Sequence, residues 1–289
     1  MVDPYAKHLR RWGLWNPPDD VVTLKRSTFW NIREELPKPL TIGLLVASIA
    51  VPLAIWWAIA TAGIVQPEVL MPPPAQVWAK GVELWQKGIL PEDIRYSLFR
   101  VLAGYAIGLA FALPLGIFMG TFATGRWAFE PLIGLLRYMP APAFTPLFLV
   151  YLGLGEAPKI ALIALGTFFF NTLMVMDGVK FISKDLIDTS YTLGANRKQV
   201  VAQVILPALF PTIVDATRIN LAAAWNLVIV AELLSAEQGL GKRIALAQRF
   251  LGIDQMFACL IVIGVIGLSF DLALRALLRF TCSWAEDAR

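Results

Sequence analysis

Long runs without a single charge constrain this chain more than any other sequence feature. Three of them are residues 40–64, 160–176 and 219–231. A helix needs about 20 mostly apolar residues to cross the hydrocarbon core of a bilayer. Only 16% of the chain is charged and 57% is hydrophobic, whereas a soluble domain carries about 25% charged residues. The sequence therefore predicts an all-α integral membrane protein.

About six membrane-spanning helices are expected from the length of these runs. An even number places both termini on one side of the membrane. The basic residues of the polar tail, and of the stretch after residue 176, put that side in the cytoplasm by the positive-inside bias. Basic residues in a predicted external loop, 235–256, run against the bias. The predicted spans are residues 40–64, 101–125, 132–155, 160–176, 212–234 and 257–280, within a membrane domain 39–289 that follows a tail 1–38.

The residue types of this chain do not favour a metal site or a nucleotide-binding site. The chain has one histidine, His8, and two widely separated cysteines, Cys259 and Cys282, which offer no metal-ligand spacing. The stretch GLGK at 239–242 only partly matches a phosphate-binding loop, because Ala236 stands where that pattern needs glycine. No cofactor is therefore expected on this chain. The net charge of +4 suits basic inner loops better than a nucleic-acid surface.

A polar stretch, residues 183–211, separates two of the apolar runs. Asp185 is expected to cap a short helix that ends at Gly194, where glycine permits a left-handed turn. Residues 199–206 predict a second helix, which Pro207 is expected to stop. Such a pair of helices fits a groove in a cytoplasmic partner, although an ordinary amphipathic loop would have the same pattern.

Several residues of this stretch resemble the E-A-A…G…I-x-L-P loop of ABC importer permeases, which docks on the ATP-binding subunit. Gly194, Leu206 and Pro207 match the motif outright, and Asp188 keeps the charge of the family's glutamate. The resemblance implies a coupling loop at about 179–212. Its expected contact residues are Asp188, Thr189, Ser190, Leu193, Gly194, Ala195, Leu206 and Pro207.

The resemblance extends over about residues 70–280, through LMPPPAQVW, the glycine-spaced YSLFRVLAGYAIGLAFALPLGIFMG, the proline-rich LRYMPAPAFTPLFLVYLGLGEAP, and WNLVIVAELLSAEQGLG. These segments are similar to permeases of the nitrate, bicarbonate, taurine and aliphatic-sulfonate importer family. The resemblance implies a type I importer transmembrane domain in a bacterial inner membrane, and a small anion as substrate. It also implies a second permease copy as a homodimer partner, two ATPase subunits that carry ATP and Mg, and a periplasmic or lipid-tethered binding protein.

Prolines in the predicted third span mark a candidate translocation path. They free backbone carbonyls, which a membrane tolerates only against protein or a water-lined cavity. A path-lining helix and a kinked packing helix both fit the pattern, and Arg137 is the one charge within this proline-rich segment. The path candidates are Arg137, Tyr138, Pro140, Pro142, Pro146, Asn171, Trp225 and Glu232.

Three further patterns predict packing. Small residues at every fourth position from 104 to 120 allow close approach of another helix. Charges three or four apart predict the pairs Asp215–Arg218 and Asp271–Arg275, although ionisable residues in a membrane can also be functional. A short amphipathic helix on the outer face is expected after residue 74, with Val77, Trp78, Val82 and Trp85 on one side.

Other protein classes make different predictions. A secondary transporter would often show a repeated half and would need no docking loop. A membrane enzyme would need clustered catalytic groups at membrane depth, and a purely structural subunit would tolerate changes at Gly194. An ABC permease for an unrelated small solute would share most of these features.

Overall fold

The computed structural model describes residues 36–63 and 70–282. Within these ranges the chain is helical and contains no strand. The helices are α1 (Lys38–Thr61), α2 (Pro74–Gln86), α3 (Ile89–Thr121), α4 (Ala123–Leu136), a 3-10 turn (Ala141–Phe144), α5 (Thr145–Leu152), α6 (Glu156–Lys180), α7 (Lys184–Thr192), α8 (Arg197–Gln199), a π-helical segment (Val200–Ile205), α9 (Leu206–Ser235), α10 (Leu240–Arg249) and α11 (Ile253–Thr281).

Five stretches of the described chain are long and apolar enough to cross a membrane, and a bent pair makes a sixth if it counts as one span. The bent pair is Ala123–Leu136 with Ala141–Leu152, and its two halves meet at 85°. The prediction of an all-α membrane protein with about six spans is confirmed. The five straight spans are Lys38–Thr61, Ile89–Thr121, Glu156–Lys180, Arg197–Leu234 and Ile253–Thr281.

The chain divides into two compact units, Met1–Ile55 and Trp56–Arg289. In the first unit the structure describes residues from 36 onward, which are mostly helix α1, and no side chain of α1 is buried. The second unit contains all the other described helices. The predicted N-terminal tail, 1–38, falls almost wholly outside the described residues.

Helix α2 is amphipathic, but its buried side differs from the predicted one. Val77 and Leu84 are buried, whereas Trp78 and Trp85 are largely exposed. Hydrogen bonds from Lys87 and then Lys80 lower the pKa of the Glu83 carboxyl on this helix.

Helices α3 and α6 are held together by the predicted stripe of small residues. A Cβ added to Gly108 would lie 2.7 Å from the backbone oxygen of Ala164, and one added to Gly116 would lie 2.7 Å from that of Thr172. Real Cβ atoms do not come that close, so only glycine permits this backbone approach. The packing role predicted for the stripe is confirmed.

The largest buried cluster joins helices α2, α3, α6, α9, α10 and α11. It includes Val101 and Tyr105 of α3, Ile163 of α6 and Val228 of α9. These side chains pack α9 against the α3–α6 pair. Because α9 continues from the polar stretch 183–211, this packing connects that stretch to the membrane helices.

Three predicted spans have clearly different bounds in the structure, and the fifth starts at Arg197 rather than at residue 212. The second begins at Ile89 rather than at residue 101, because Asp93, Ser97 and Arg100 are buried on one face of the same helix. The prediction of one third helix over 132–155 was wrong. The chain bends at residues 137–140 instead, since Pro140 and Pro142 cannot donate the hydrogen bonds that would continue α4.

Candidate functional site

The polar stretch forms two capped helices joined by a tight turn, and residues 183–199 are named the two-helix turn. Its first helix, α7, is capped by Ser183, whose side chain accepts a hydrogen bond from the Asp185 amide. The sequence had predicted Asp185 as the cap. That was wrong because Asp185 already lies within the first helical turn, where its charge suits the helix dipole.

The end of α7 has the hydrogen bonds of a Schellman motif. The amide of Gly194 donates to the Tyr191 carbonyl at 2.9 Å, and that of Ala195 donates to the Ser190 carbonyl at 3.0 Å. Gly194 has a φ of +86°, and an added Cβ there would meet nothing within 4 Å. The predicted left-handed glycine is confirmed, and the space around it is open.

The second helix starts with a reciprocal cap. The amide of Gln199 donates to the side chain of Asn196 at 3.0 Å, and the amide of Asn196 donates to that of Gln199 at 2.8 Å. This capping box fixes the chain direction on the far side of Gly194. The turn is therefore closed by backbone hydrogen bonds on one side and by side chains on the other.

Pro207 does not end the second helix, as the sequence had predicted. The chain continues helically from Arg197 to Leu234, over 38 residues, with Pro207 in the first turn of α9 and Pro211 inside it. The π-helical segment lies just before Pro207. Its wider hydrogen-bond pattern accommodates a residue that has no amide hydrogen to donate. One continuous helical element thus joins the two-helix turn to the opposite end of the bundle.

The predicted contact residues fall into two groups, an exposed tip at the turn and the pair Leu206–Pro207 further along the second helix. Leu193 is 82% exposed. Leu206 and Pro207 lie apart from this tip, since Leu206 is roughly 14 Å along the continuous helix from its start at Arg197, at about 1.5 Å per residue. The exposed tip consists of Asp188, Thr189, Leu193 and Gly194, with Ser190 and Ala195 half-buried behind them.

The bend between α4 and α5 opens onto a cavity of about 410 Å³, named the bend cavity. Arg137, Tyr138 and Pro140 line it, whereas Pro142 and Pro146 do not. Arg137 donates to the hydroxyl of Tyr138 at 3.0 Å, and both side chains are exposed. The remaining wall is mostly apolar and comes from α6 and α9, including Phe169, Phe170, Asn226 and Leu227.

Asn171 and Trp225 lie outside the bend cavity, in the bundle interior. Asn171 accepts hydrogen bonds from Tyr105 at 3.1 Å and from Asn220 at 2.7 Å, so it links α6 to α3 and α9. Its own amide nitrogen and the Trp225 indole nitrogen are buried without a described partner. The structure thus separates these two path candidates from Arg137.

Glu232, the last path candidate, is a fully buried member of an ion pair. Arg100 donates to Glu232 at 2.7 Å, and the two residues are 1% and 0% exposed. Ser97 also donates to this carboxylate at 2.7 Å, and the amide of Gly241 donates at 2.8 Å. This arrangement stabilises the contacts among α3, α9 and the start of α10.

The same end of the bundle contains further charges around that pair. Arg100 also donates to Glu156 at 2.8 Å. Asp93 accepts from Arg243 at 2.7 Å and from the amide of Gly239 at 2.9 Å. Asp93, Arg100, Glu156, Glu232 and Arg243 are named the charge network. Sequence reasoning missed it, although the spacing of Asp93, Ser97 and Arg100 along one helix face was an available signal.

The charge network also explains the GLGK stretch. The amides of Gly239 and Gly241, which a phosphate loop would direct at a ligand, are bonded to Asp93 and Glu232 of this chain. Within the described residues, no group of three or more His, Cys, Asp or Glu side chains is arranged to hold a metal.

The other predicted ion pairs are present and joined together. Asp215 and Arg218 lie 2.7 Å apart, and Asp271 and Arg275 lie 2.8 Å apart. Arg218 also contacts Asp271 at 2.9 Å, which links α9 to α11. Both predicted pairs are confirmed as parts of one interhelical cluster.

A family model for the binding-protein-dependent transport system inner membrane component matches residues 112–281. A probable ABC transporter permease protein of Brucella abortus is 37% identical over 86% of this chain and 97% of its own length. The taurine transport system permease protein TauC of Escherichia coli is 35% identical over 85% and 91%. A putative aliphatic sulfonates transport permease protein SsuC of Bacillus subtilis is 34% identical over 85% and 88%.

The fold is also similar to a solved transporter. An inward-facing structure of the MetNI methionine ABC transporter matches with a TM-score of 0.61 and 20% identity, over 68% of this chain and 97% of the solved chain. Fold and sequence together define a multi-pass inner membrane transport protein. The chain belongs to the binding-protein-dependent transport system inner membrane component family, as a permease of the type I ABC importer class. Membership implies partners that hydrolyse ATP and bind substrate.

Proposed function

We propose that this permease forms the import path for a small anion of the sulfonate type, and that a separate ATPase drives it through the two-helix turn. The observation that carries the coupling role is the exposed Leu193–Gly194 tip. It is braced by a Schellman motif and a capping box, and one continuous helix carries it into the bundle. A braced, exposed tip can transmit a push without collapsing.

In this proposal the chain itself hydrolyses no ATP and binds no cofactor. ATP and Mg belong to the two partner ATPases, which dock on Asp188, Thr189, Ser190, Leu193, Gly194, Ala195, Leu206 and Pro207. The amides of Gly239 and Gly241 support the assignment of ATP to the partner subunits, because both already donate to carboxylates of this chain and are not available to a phosphate.

The proposed assembly contains two identical permease copies, two cytoplasmic ATPases and one periplasmic or lipid-tethered binding protein. Both termini lie in the cytoplasm, on the side of the two-helix turn. The basic residues Lys180, Lys184, Arg197 and Lys198 near that turn support this orientation.

A small anion is favoured by the bend cavity. It combines one arginine with apolar and aromatic walls, which suits a compact charged head on a short organic body. The names of two relatives, for taurine and for aliphatic sulfonates, favour a sulfonate over nitrate or bicarbonate. Arg137, Tyr138 and Pro140 contact the substrate in this proposal, whereas Pro142, Pro146, Asn171, Trp225 and Glu232 shape the surrounding helices.

The test is reconstitution of the permease with the ATPase and binding protein into proteoliposomes. ATP-dependent uptake of taurine, exceeding that of nitrate and bicarbonate, is expected. Uptake that needs an ion gradient and no ATP would identify a secondary transporter instead, and uptake of an unrelated solute alone would remove the anion from the proposal.

Docking is tested separately by cross-linking. A Leu193→Cys variant should cross-link to the ATPase through a reagent that joins a thiol to a nearby amine, because Leu193 is exposed at the proposed contact. The native Cys259 and Cys282 are buried, so the introduced thiol should be the one that the reagent reaches. The matched control is Phe250→Cys, a residue 81% exposed that ends α10 near the charge network. Equal cross-linking at both positions, or at neither, would contradict docking at the tip.

A further inference from the structure

A second cavity lies beneath the two-helix turn and is named the basic cleft. It measures about 650 Å³ and is walled by the ends of α3 and α6, the start of α4, and one face of α7. Lys184, Ile187 and Tyr191 line it from α7, at the three- and four-residue spacing of one helix side. Asp188 and Leu193 do not line it, so the basic cleft is separate from the exposed tip.

The polar groups of the basic cleft point to an anion. Lys180, Lys184 and Arg197 line it, and no carboxylate residue does. Lys180 is already paired, with Asp177 at 3.2 Å and Glu130 at 3.5 Å. Lys184 and Arg197 have no carboxylate within 4.0 Å among the described residues. Two cations are thus uncompensated at the wall of one cavity.

Hydrogen-bond donors in the same wall also lack partners. The hydroxyl of Thr121 is buried and has no hydrogen-bond partner in the described chain. Helix α4 starts at Ala123 in this wall, and no side chain caps its first amides. Arginine, lysine, a hydroxyl and free amides together are the donor set that proteins use for phosphate oxygens.

The position of the basic cleft suggests where such a phosphate comes from. Thr121 and Lys180 are the last residues of two helices that are long and apolar enough to cross a membrane, so we expect the cleft to lie near the lipid headgroups. Its remaining walls are apolar and include Val179, Ile182, Ile187 and Ile205. A phospholipid has this combination of a phosphate beside apolar chains, whereas free phosphate offers only the first part.

We propose that the basic cleft binds a phosphate group between Lys184 and Arg197, with the headgroup of an anionic phospholipid as the favoured source. On the opposite wall the same phosphate accepts from the Thr121 hydroxyl and the first amides of α4, so that it joins the two-helix turn to the α3–α4 corner. It thereby stiffens the two-helix turn against the bundle without occupying the exposed tip. The fraction of anionic phospholipid in the inner leaflet then determines how strongly movement of the exposed tip is coupled to movement of the membrane helices.

The test measures binding directly, on the assembled transporter in neutral detergent. Native mass spectrometry counts phosphatidylglycerol bound to the wild type, to Lys184→Gln/Arg197→Gln and to Lys198→Gln. Lys198 is the matched control, because it is an exposed neighbouring cation outside the cleft. The double variant is expected to bind at least about tenfold more weakly, since a hydrogen bond to a charged group accounts for roughly that factor. The charge-preserving variant Lys184→Arg/Arg197→Lys should retain binding.

A second arm titrates inorganic phosphate by calorimetry on the same variants. Phosphate binding that the double variant loses, without any lipid binding, would support the site and identify free phosphate as the source. Equal loss in Lys198→Gln would overturn the proposal, because it would mean a diffuse charge effect. If neither phosphatidylglycerol nor inorganic phosphate binds to the wild type, the proposal is also overturned.

Discussion

Arg100 of α3 and Glu232 of α9 form a 2.7 Å ion pair from which water is almost wholly excluded. Glu232 lies at the far end of the continuous helix that starts in the two-helix turn. The helix that would be moved by the docked ATPase is therefore held at its other end by the Arg100–Glu232 ion pair. A buried carboxylate without its cation is costly, so this pair should hold the end of α9 against α3.

Replacing Glu232 by alanine should destabilise the protein by about 3–5 kcal/mol, because Arg100 would lose its most buried partner. Thermal unfolding of the detergent-solubilised permease measures the change. Glu83→Ala is the control, since Glu83 is an exposed carboxylate that pairs with Lys80 and Lys87. Its unfolding temperature should stay close to that of the wild type, because substitutions of surface charges away from buried networks have small effects. Equal unfolding temperatures for wild type and Glu232→Ala would contradict the anchoring role.

The glycine stripe makes a second prediction about stability. Gly108→Ala should destabilise the α3–α6 contact by about 1–3 kcal/mol, because the new Cβ would lie 2.7 Å from the Ala164 carbonyl oxygen. Gly264→Ala on α11 is the matched control, with nothing within 4 Å of its added Cβ. A lowered unfolding temperature is expected for the first variant alone. If both behave alike, close backbone approach does not limit this contact.

Local sequence signals predicted the features that depend on neighbouring residues. The spans followed from hydropathy, the left-handed turn from Gly194, and the two ion pairs from their three- and four-residue spacing. The close approach of another helix to α3 followed from the repeat of small residues, although the repeat does not say which helix that is. Each of these is decided within one helix or one turn, so a single sequence contains the necessary information.

The missed features depend on contacts between distant segments. Arg100 and Glu232 are 132 positions apart, and no periodicity joins them. The helix through Pro207 depends on a π-helical segment, which local proline rules do not predict. The bend at residues 137–140 was predicted as part of one third span, because hydropathy gives the length of an apolar run and not its direction. The sequence also groups Asn171, Trp225 and Glu232 with Arg137 as path candidates, and the structure places them in different parts of the bundle.

Gly194→Asp should leave the permease folded but abolish substrate-stimulated ATP hydrolysis by the complex. A left-handed non-glycine residue costs about 1–2 kcal/mol, and the open space around Gly194 adds no clash within the chain. The new side chain and charge would instead obstruct the docked ATPase. Gly88→Asp is the control, because Gly88 has a φ of +74° and equally open surroundings outside the two-helix turn. Loss of activity in both variants would assign the effect to backbone strain rather than to docking.

Arg137→Gln should reduce ATP-driven anion uptake about tenfold, because the bend cavity would lose the one cation in its wall. Uptake by proteoliposomes at saturating binding protein measures this, with unfolding temperature as a check that the bend remains intact. Arg126→Gln is the control. Arg126 lies on α4, the helix that ends just before Arg137; it is 3.9 Å from Glu130 and does not line the cavity. Arg137→Lys keeps the charge and should retain most of the uptake, whereas a loss equal to that of Arg137→Gln would mean that the contact with Tyr138 matters more than the charge. Full uptake by Arg137→Gln would exclude the bend cavity from anion selection, and selectivity would then rest with the binding protein.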